Sequence, residues 1–170
     1  MPRPRPASIL LGLVLCALAV GGADRALAES ARLYTLAPGS ELQQGCFPPC
    51  LCPAIVADLR GTFWLTPRGS DPLFDLYEVS RVNWRVTLGG ADVPITGAGT
   101  YRRGGEFALM HQLELNLTIG DGDAPEQHFD SGLVVGGSEF PAIDIHITLN
   151  GEVCYDTVIR VLATPTLGCG

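Results

Sequence analysis

The sequence predicts an all-β protein: an antiparallel meander of about eight strands, closed as a β-barrel or folded as a two-sheet sandwich. Three observations carry this. Apolar residues recur at every second position, Gly-containing pairs separate the alternating runs, and no 12-residue window carries a helical apolar stripe with caps. The chain has 170 residues, 46% of them hydrophobic and 17% charged, with 21 Gly and 13 Pro, which suits one ordinary globular domain.

The N-terminus reads as an address rather than as part of the fold. Arg3 and Arg5 precede an apolar run from Ile9 to Val20, and Ala26-Leu27-Ala28 supplies the small-x-small pattern of a signal peptidase site. Residues 1–28 are therefore expected to be a signal peptide, and 29–170 a single disulfide-braced β domain of 142 residues. The apolar run falls short of the ~20 residues that span a bilayer, which argues against an anchor. Cys16 lacks the small preceding residue of a lipid-attachment box, because Leu15 stands there. No later segment is apolar and long enough to insert in a membrane, and the expected localisation is secreted or periplasmic. Arginine without lysine suggests a GC-rich, bacterial genome.

Strands are expected near 32–37, 54–66, 73–88, 98–103, 106–119, 126–135, 142–149 and 152–163. The longest alternation runs Phe107, Leu109, His111, Leu113, Leu115, Leu117, Ile119, with Gln112, Glu114, Asn116 and Thr118 between. A second places Val82, Trp84, Val86 and Leu88 opposite Arg81, Asn83, Arg85 and Thr87. A third sets Ile143, Ile145, Ile147 and Leu149 against Asp144, His146, Thr148 and Asn150. One face of each strand then meets a core and the other meets water, as in antiparallel sheets. Asn150-Gly151 is the strongest type I′ hairpin signal, and Gly89-Gly90, Gly104-Gly105, Gly120-Asp121-Gly122-Asp123 and Gly136-Gly137 are weaker ones. Short reversals join neighbours in sequence, since parallel pairing needs longer crossovers. A domain of this size buries roughly 68% of its unfolded surface, enough for a self-sufficient core.

Beyond the signal, five cysteines remain: Cys46, Cys50 and Cys52 in Cys-Phe-Pro-Pro-Cys-Leu-Cys-Pro, then Cys154 and Cys169. In an exported chain these read as disulfides. An extended Pro48-Pro49 would hold Cys46 and Cys50 roughly 12 Å apart, beyond the ~7 Å reach of a bridge, so a turn at the prolines is required. Cys50 and Cys52 would strain if joined to each other. Two bridges among Cys46, Cys50, Cys52 and Cys154 are expected, with Cys154 taking Cys50 or Cys52 and Cys169 left over. A bridge closing about a hundred residues contributes at most about 4.7 kcal/mol in the chain-entropy model. The competing readings are a soft-metal site, Cu(I) or Zn, on the three close thiolates, and redox exchange through Cys50-Leu51-Cys52. Copper-delivery proteins with related spacing need a βαβ context as well as a distant His ligand, and this sequence shows no such helices.

Candidate chemistry is sparse. His111, His128 and His146 lack metal-ligand spacing; strand parity turns His111 to the core and His146 outward. No Gly-x-Ser-x-Gly elbow surrounds Ser70, Ser80, Ser131 or Ser138. The Gly120–Glu126 acidic turn lacks the ligand pattern of a calcium loop, and Asn116-Leu117-Thr118 matches a glycosylation sequon in mid-strand. Trp64 shares parity with Arg60, Thr62 and Thr66, so it is a candidate surface contact; a strand buried on both faces is the favoured alternative. Beyond residue 28 there are 8 arginines against 17 acidic residues, a formal charge of −9, which excludes a phosphate backbone as natural partner.

Gly45-Cys46-Phe47-Pro48-Pro49-Cys50-Leu51-Cys52-Pro53, with Arg60-Gly61-Thr62-Phe63, Gly105-Glu106-Phe107-Ala108-Leu109, His128-Phe129-Asp130-Ser131-Gly132-Leu133 and Cys154-Tyr155-Asp156-Thr157, resembles a group of small secreted bacterial β proteins with no assigned activity. The resemblance spans most of the chain after the signal and implies that Cys154 pairs with the N-terminal cluster, Cys169 being an addition. It implies no active site. The expected function is an exported, non-catalytic binding or structural module, without cofactor, whose partner is an unidentified protein, glycan or small apolar ligand. Alternatives are a carrier holding a small apolar ligand inside a barrel and soft-metal handling by the cysteines. A cavity lined by odd-numbered residues of 107–119 and 143–149 would mark the carrier; a core filled by side chains would not.

Overall fold

A computed structural model describes residues 30–166. The expected signal peptide and Cys169 lie outside the described residues. Ten strands follow one another: β1 (Arg32–Leu36), β2 (Glu41–Cys46), β3 (Ile55–Ser70), β4 (Phe74–Leu88), β5 (Ala91–Gly104), β6 (Met110–Ile119), β7 (Glu126–Asp130), β8 (Val134–Val135), β9 (Ile143–Thr148) and β10 (Tyr155–Pro165). All pairings are antiparallel.

The pairing closes into a ring. β3, β4, β5, β6, β7, β9 and β10 pair in succession, and β10 returns to β3 through β1 and β2. β1 and β2 are two halves of one interrupted strand: β1 lies between residues 62–65 and 163–165, and β2 between 55–58 and 155–160. Ser40 makes that interruption tolerable. Its buried hydroxyl lies 2.9 Å from both Ala37 O and Leu162 O and accepts the Leu162 N–H at 3.1 Å, so the backbone groups freed by the kink find partners. β7 and β8 likewise form one interrupted strand along β6. The architecture is thus an eight-stranded up-and-down barrel, and the choice between barrel and sandwich falls to the barrel.

The alternation does what it predicts in β4 and β9, and in β6 except at Gln112, which is buried between Arg102 and Asp130 instead of facing water. Val82, Trp84 and Val86 are buried while Arg81, Asn83, Arg85 and Thr87 are exposed, and Ile143, Ile145 and Ile147 are buried. A bulge at Ser80–Arg81, where Arg81 takes φ 51°, shifts the inward register from Tyr77 and Val79 to Val82. The interior is filled by Trp84, Tyr34, Phe63 and Phe129 among Leu, Ile and Val side chains. Tyr34 stacks on Phe63, whose ring meets Trp84 edge-on at 6.0 Å.

Several expected boundaries are corrected. The strand expected over 106–119 begins only at Met110, because Gly104 and Gly105 turn the chain away; Phe107 is 94% exposed instead of facing the core. The run 126–135 breaks at Ser131-Gly132, where Ser131 Oγ accepts the Leu113 N–H at 3.0 Å in place of a strand neighbour. β2 is an additional strand, and β5 starts at Ala91 rather than 98. The two-residue type I′ turn is Gly89-Gly90, with φ of 58° and 84° between the Leu88–Ala91 pair. Asn150-Gly151 instead opens a longer loop organised by Asp156.

Candidate functional site

Two places depart from the regular barrel. The first is the cysteine cluster. A turn at Pro48-Pro49, in which Cys50 N–H donates to Phe47 O at 3.0 Å, brings Cys46 to Cys52 and frees Cys50 for Cys154; the Cα separations are 5.1 and 4.8 Å. Two bridges form among the four expected cysteines, and Cys154 takes Cys50. Because Cys46 ends β2 opposite Tyr155 of β10, the cluster ties the loop 47–54 to the start of the last strand. Its sulfurs, being bonded to one another, offer no thiolate for a metal. Disulfides mark an oxidising environment outside the cytoplasm.

Behind Cys154 lies Asp156, 1% exposed. Its carboxylate accepts backbone N–H bonds from Asn150 at 2.9 Å, Glu152 at 2.7 Å and Thr157 at 2.6 Å. This carboxylate shapes the 149–154 loop, in which Glu152 and Cys154 take φ of 60° and 56°. The sequence signal for it was a lone acid in the apolar run Tyr155–Val161.

The second departure is the seam between β7/β8 and β9. There the ladder shrinks to a single pair, Asp130 opposite Thr148, and beyond it the edges part around a groove of about 630 Å³. Asp130 is fixed at the apex. Arg102 donates to Gln112 Oε1, Gln112 Nε2 donates to Asp130 Oδ1 at 2.8 Å, and the same oxygen accepts Gly132 N–H at 2.8 Å. One wall carries Ser131, Val134, Val135 and Gly137; the other carries Asp144, Ile145, His146 and Thr148, with Arg160 and Glu152 behind. Arg160 Nε lies 3.4 Å from Asp144 Oδ1, a half-exposed pair of little energetic weight.

His111 lies on the inner wall of this groove, 5% exposed, and its Nδ1 is 3.3 Å from Tyr101 Oη. Burial pulls the imidazole below its ordinary value of 6.5; Asp144 opposes this and Arg103 assists. Burial pushes the Tyr101 phenol up to about 12. The phenol therefore keeps its proton, and the hydroxyl and the imidazole share a hydrogen bond. A Cβ at Gly137 would collide with this imidazole, so glycine lets the 136–142 loop close over it.

Ser131, His111 and Asp144 share the groove. Ser131 Oγ is taken by Leu113 N–H and Gly132 O, at 3.0 and 2.7 Å, and Nδ1 of His111 by Tyr101; among the described residues no nucleophile–base hydrogen bond links them. Two of the histidines line the groove, His111 on its inner wall and His146, exposed, on β9, while His128 Nδ1 lies 2.9 Å from Asn116 Oδ1 on the outer face. Among the described residues no group of three or more His, Cys, Asp or Glu has metal-site geometry. Trp64 lies half-buried on the outer face between Leu33 and Ser80; β3 is thus buried on one face, not both. The sequence offers His111, His146 and Ser131 singly but not as one site, since only the breakdown of pairing brings β8 and β9 together around them.

Fold and groove together define a disulfide-braced up-and-down barrel with a filled core and one open seam. No family model, no curated protein and no solved structure matches the chain.

Proposed function

We propose that this chain is an exported, non-catalytic binding module whose contact surface is the seam groove on the barrel wall. The observation that carries this reading is the contrast between inside and outside. Leu113, Leu115, Leu117, Ile143, Ile145 and Ile147 are 0–3% exposed and join the packed aromatic centre, while the wall opens at the seam into a groove of mixed polar and apolar lining. A filled interior supports recognition at the surface over carriage of an apolar ligand within. Signal cleavage before Glu29 and a bacterial, periplasmic or secreted setting belong to the same reading, supported by the leader pattern and the disulfides.

The test compares the wild-type chain with Val135→Asp in cross-linking to extracytoplasmic extracts of the source organism. A binding module using this groove yields a cross-linked partner that Val135→Asp loses while its thermal melting stays unchanged. Equal capture by both proteins would place recognition elsewhere. Intact-mass analysis of the exported protein accompanies it, with the mature chain expected to start at Glu29.

A further inference from the structure

We infer that the seam groove accepts an extended, basic peptide by strand addition, an inference that rests on the groove being the module's contact surface. A barrel ordinarily removes sheet edges by closing on itself. This one leaves two edges facing each other: residues 131–135 on one side and 143–147 on the other have no ladder pair beyond Asp130–Thr148, and among the described residues no backbone hydrogen bond crosses between them. Five residues of extended chain span about 17 Å. Unpaired strand edges supply main-chain donors and acceptors to an added strand, and the pleat sends its alternate side chains to opposite faces.

Both edges are held in place before any partner arrives. β9 is fixed by six pairs to β10. β8 is fixed to β6 by two pairs, by Gly136 N–H donating to Leu109 O at 3.3 Å, and by Gly137 seated against His111. The open form therefore costs an incoming strand little ordering of the protein.

The chemistry of the peptide follows from the two faces. Inward, the gap presents Val134, 36% exposed beside the buried His111, which suits a β-branched side chain. Outward, it presents the carboxylates of Asp144 and Glu152 against the single cation Arg160, in a chain carrying −9 beyond its leader. Lys or Arg at alternate positions complements that surface. Val135, 68% exposed beside the gap, adds apolar contact.

The probe is an acetylated, amidated pentapeptide alternating valine and arginine, titrated into the ¹⁵N-labelled, disulfide-intact protein with amide hydrogen exchange as readout. In the free protein, amides of 132–135 and 143–147 whose N–H faces the gap should exchange fast while those of 114–118 are protected; the peptide should slow the former group. The same peptide N-methylated at every residue keeps its side chains but offers no donor to either edge, and should not protect. Asp144→Lys should weaken binding by roughly fivefold, the effect of about 1 kcal/mol from a rim charge. Protection at the gap in the free protein, equal binding of the methylated peptide, preference for a valine–glutamate peptide, or no binding at millimolar concentration would each overturn strand addition. The module reading survives those results if Val135→Asp still abolishes cross-linking, so the two failures are distinguishable.

Discussion

Asp156 and His111 are the two residues whose local chemistry most affects the whole. Asp156 satisfies three backbone donors from a buried position, and a buried N–H left unpaired costs about 1–3 kcal/mol. Asp156→Ala should therefore destabilise the protein by about 3 kcal/mol in urea unfolding, with Asp156→Asn costing less because it keeps one acceptor oxygen. His111 makes stability depend on pH. Its native pKa is lowered, chiefly by burial, so the unfolded chain takes up this proton first and acid favours unfolding. This contribution is intact above about pH 6.5 and is lost as the pH falls from there towards the lowered native value. His111→Gln should flatten the slope of the unfolding free energy between pH 7 and 5, whatever it does to the absolute value; an unchanged slope would remove His111 as its source.

At the scale of strands, curvature depends on glycine. Gly97 and Gly99 lie on β5 between the inward residues Ile95 and Tyr101, and a Cβ on either would collide with the backbone carbonyl of β6 opposite, at Asn116 or Glu114. Glycine in a strand interior marks such close approach. Gly99→Val should destabilise by about 3 kcal/mol or leave the chain unfolded, measured by thermal melting beside Ala98→Val, whose side chain points to solvent. The same glycines explain why β5 was legible only in its last residues: Gly97-Ala98-Gly99 carries no apolar alternation. β2 escaped notice because Leu42 is its one large apolar residue, its burial shared with Gly45. Phe107 and Leu109 misled in the opposite direction, continuing the rhythm of β6 past the point where Gly104 and Gly105 end the strand. Where the rhythm met no glycine or kink, as in β9 and the second half of β4, residues alone gave both the strand and its buried face.

At the scale of the molecule, the two disulfides of the described residues and the closed ring decide the energetics. The Cys50–Cys154 bridge closes a separation of 104 residues and Cys46–Cys52 one of 6. Chain entropy assigns these at most about 4.7 and about 2 kcal/mol. Replacing Cys50 and Cys154 by Ser should thus lower stability more than replacing Cys46 and Cys52; the reverse order would place the cluster's contribution in local geometry. The pairing of Cys154 with the proline-flanked cluster was readable from the residues, but the open seam was not, because it arises from the mismatch of β8 with β9 and no local signal records an absent ladder.

Closure of the barrel is tested most directly by NOEs between opposed strands in the disulfide-intact protein. A closed ring gives cross-strand contacts for Tyr34 with Phe63, Leu36 with Ala163 and Leu42 with Ile159, alongside Leu115 with Phe129, and a single backbone contact at the seam, Asp130 with Thr148. A spectrum with the meander contacts but none joining β1 to β3 or β2 to β10 would contradict it, leaving an open sheet.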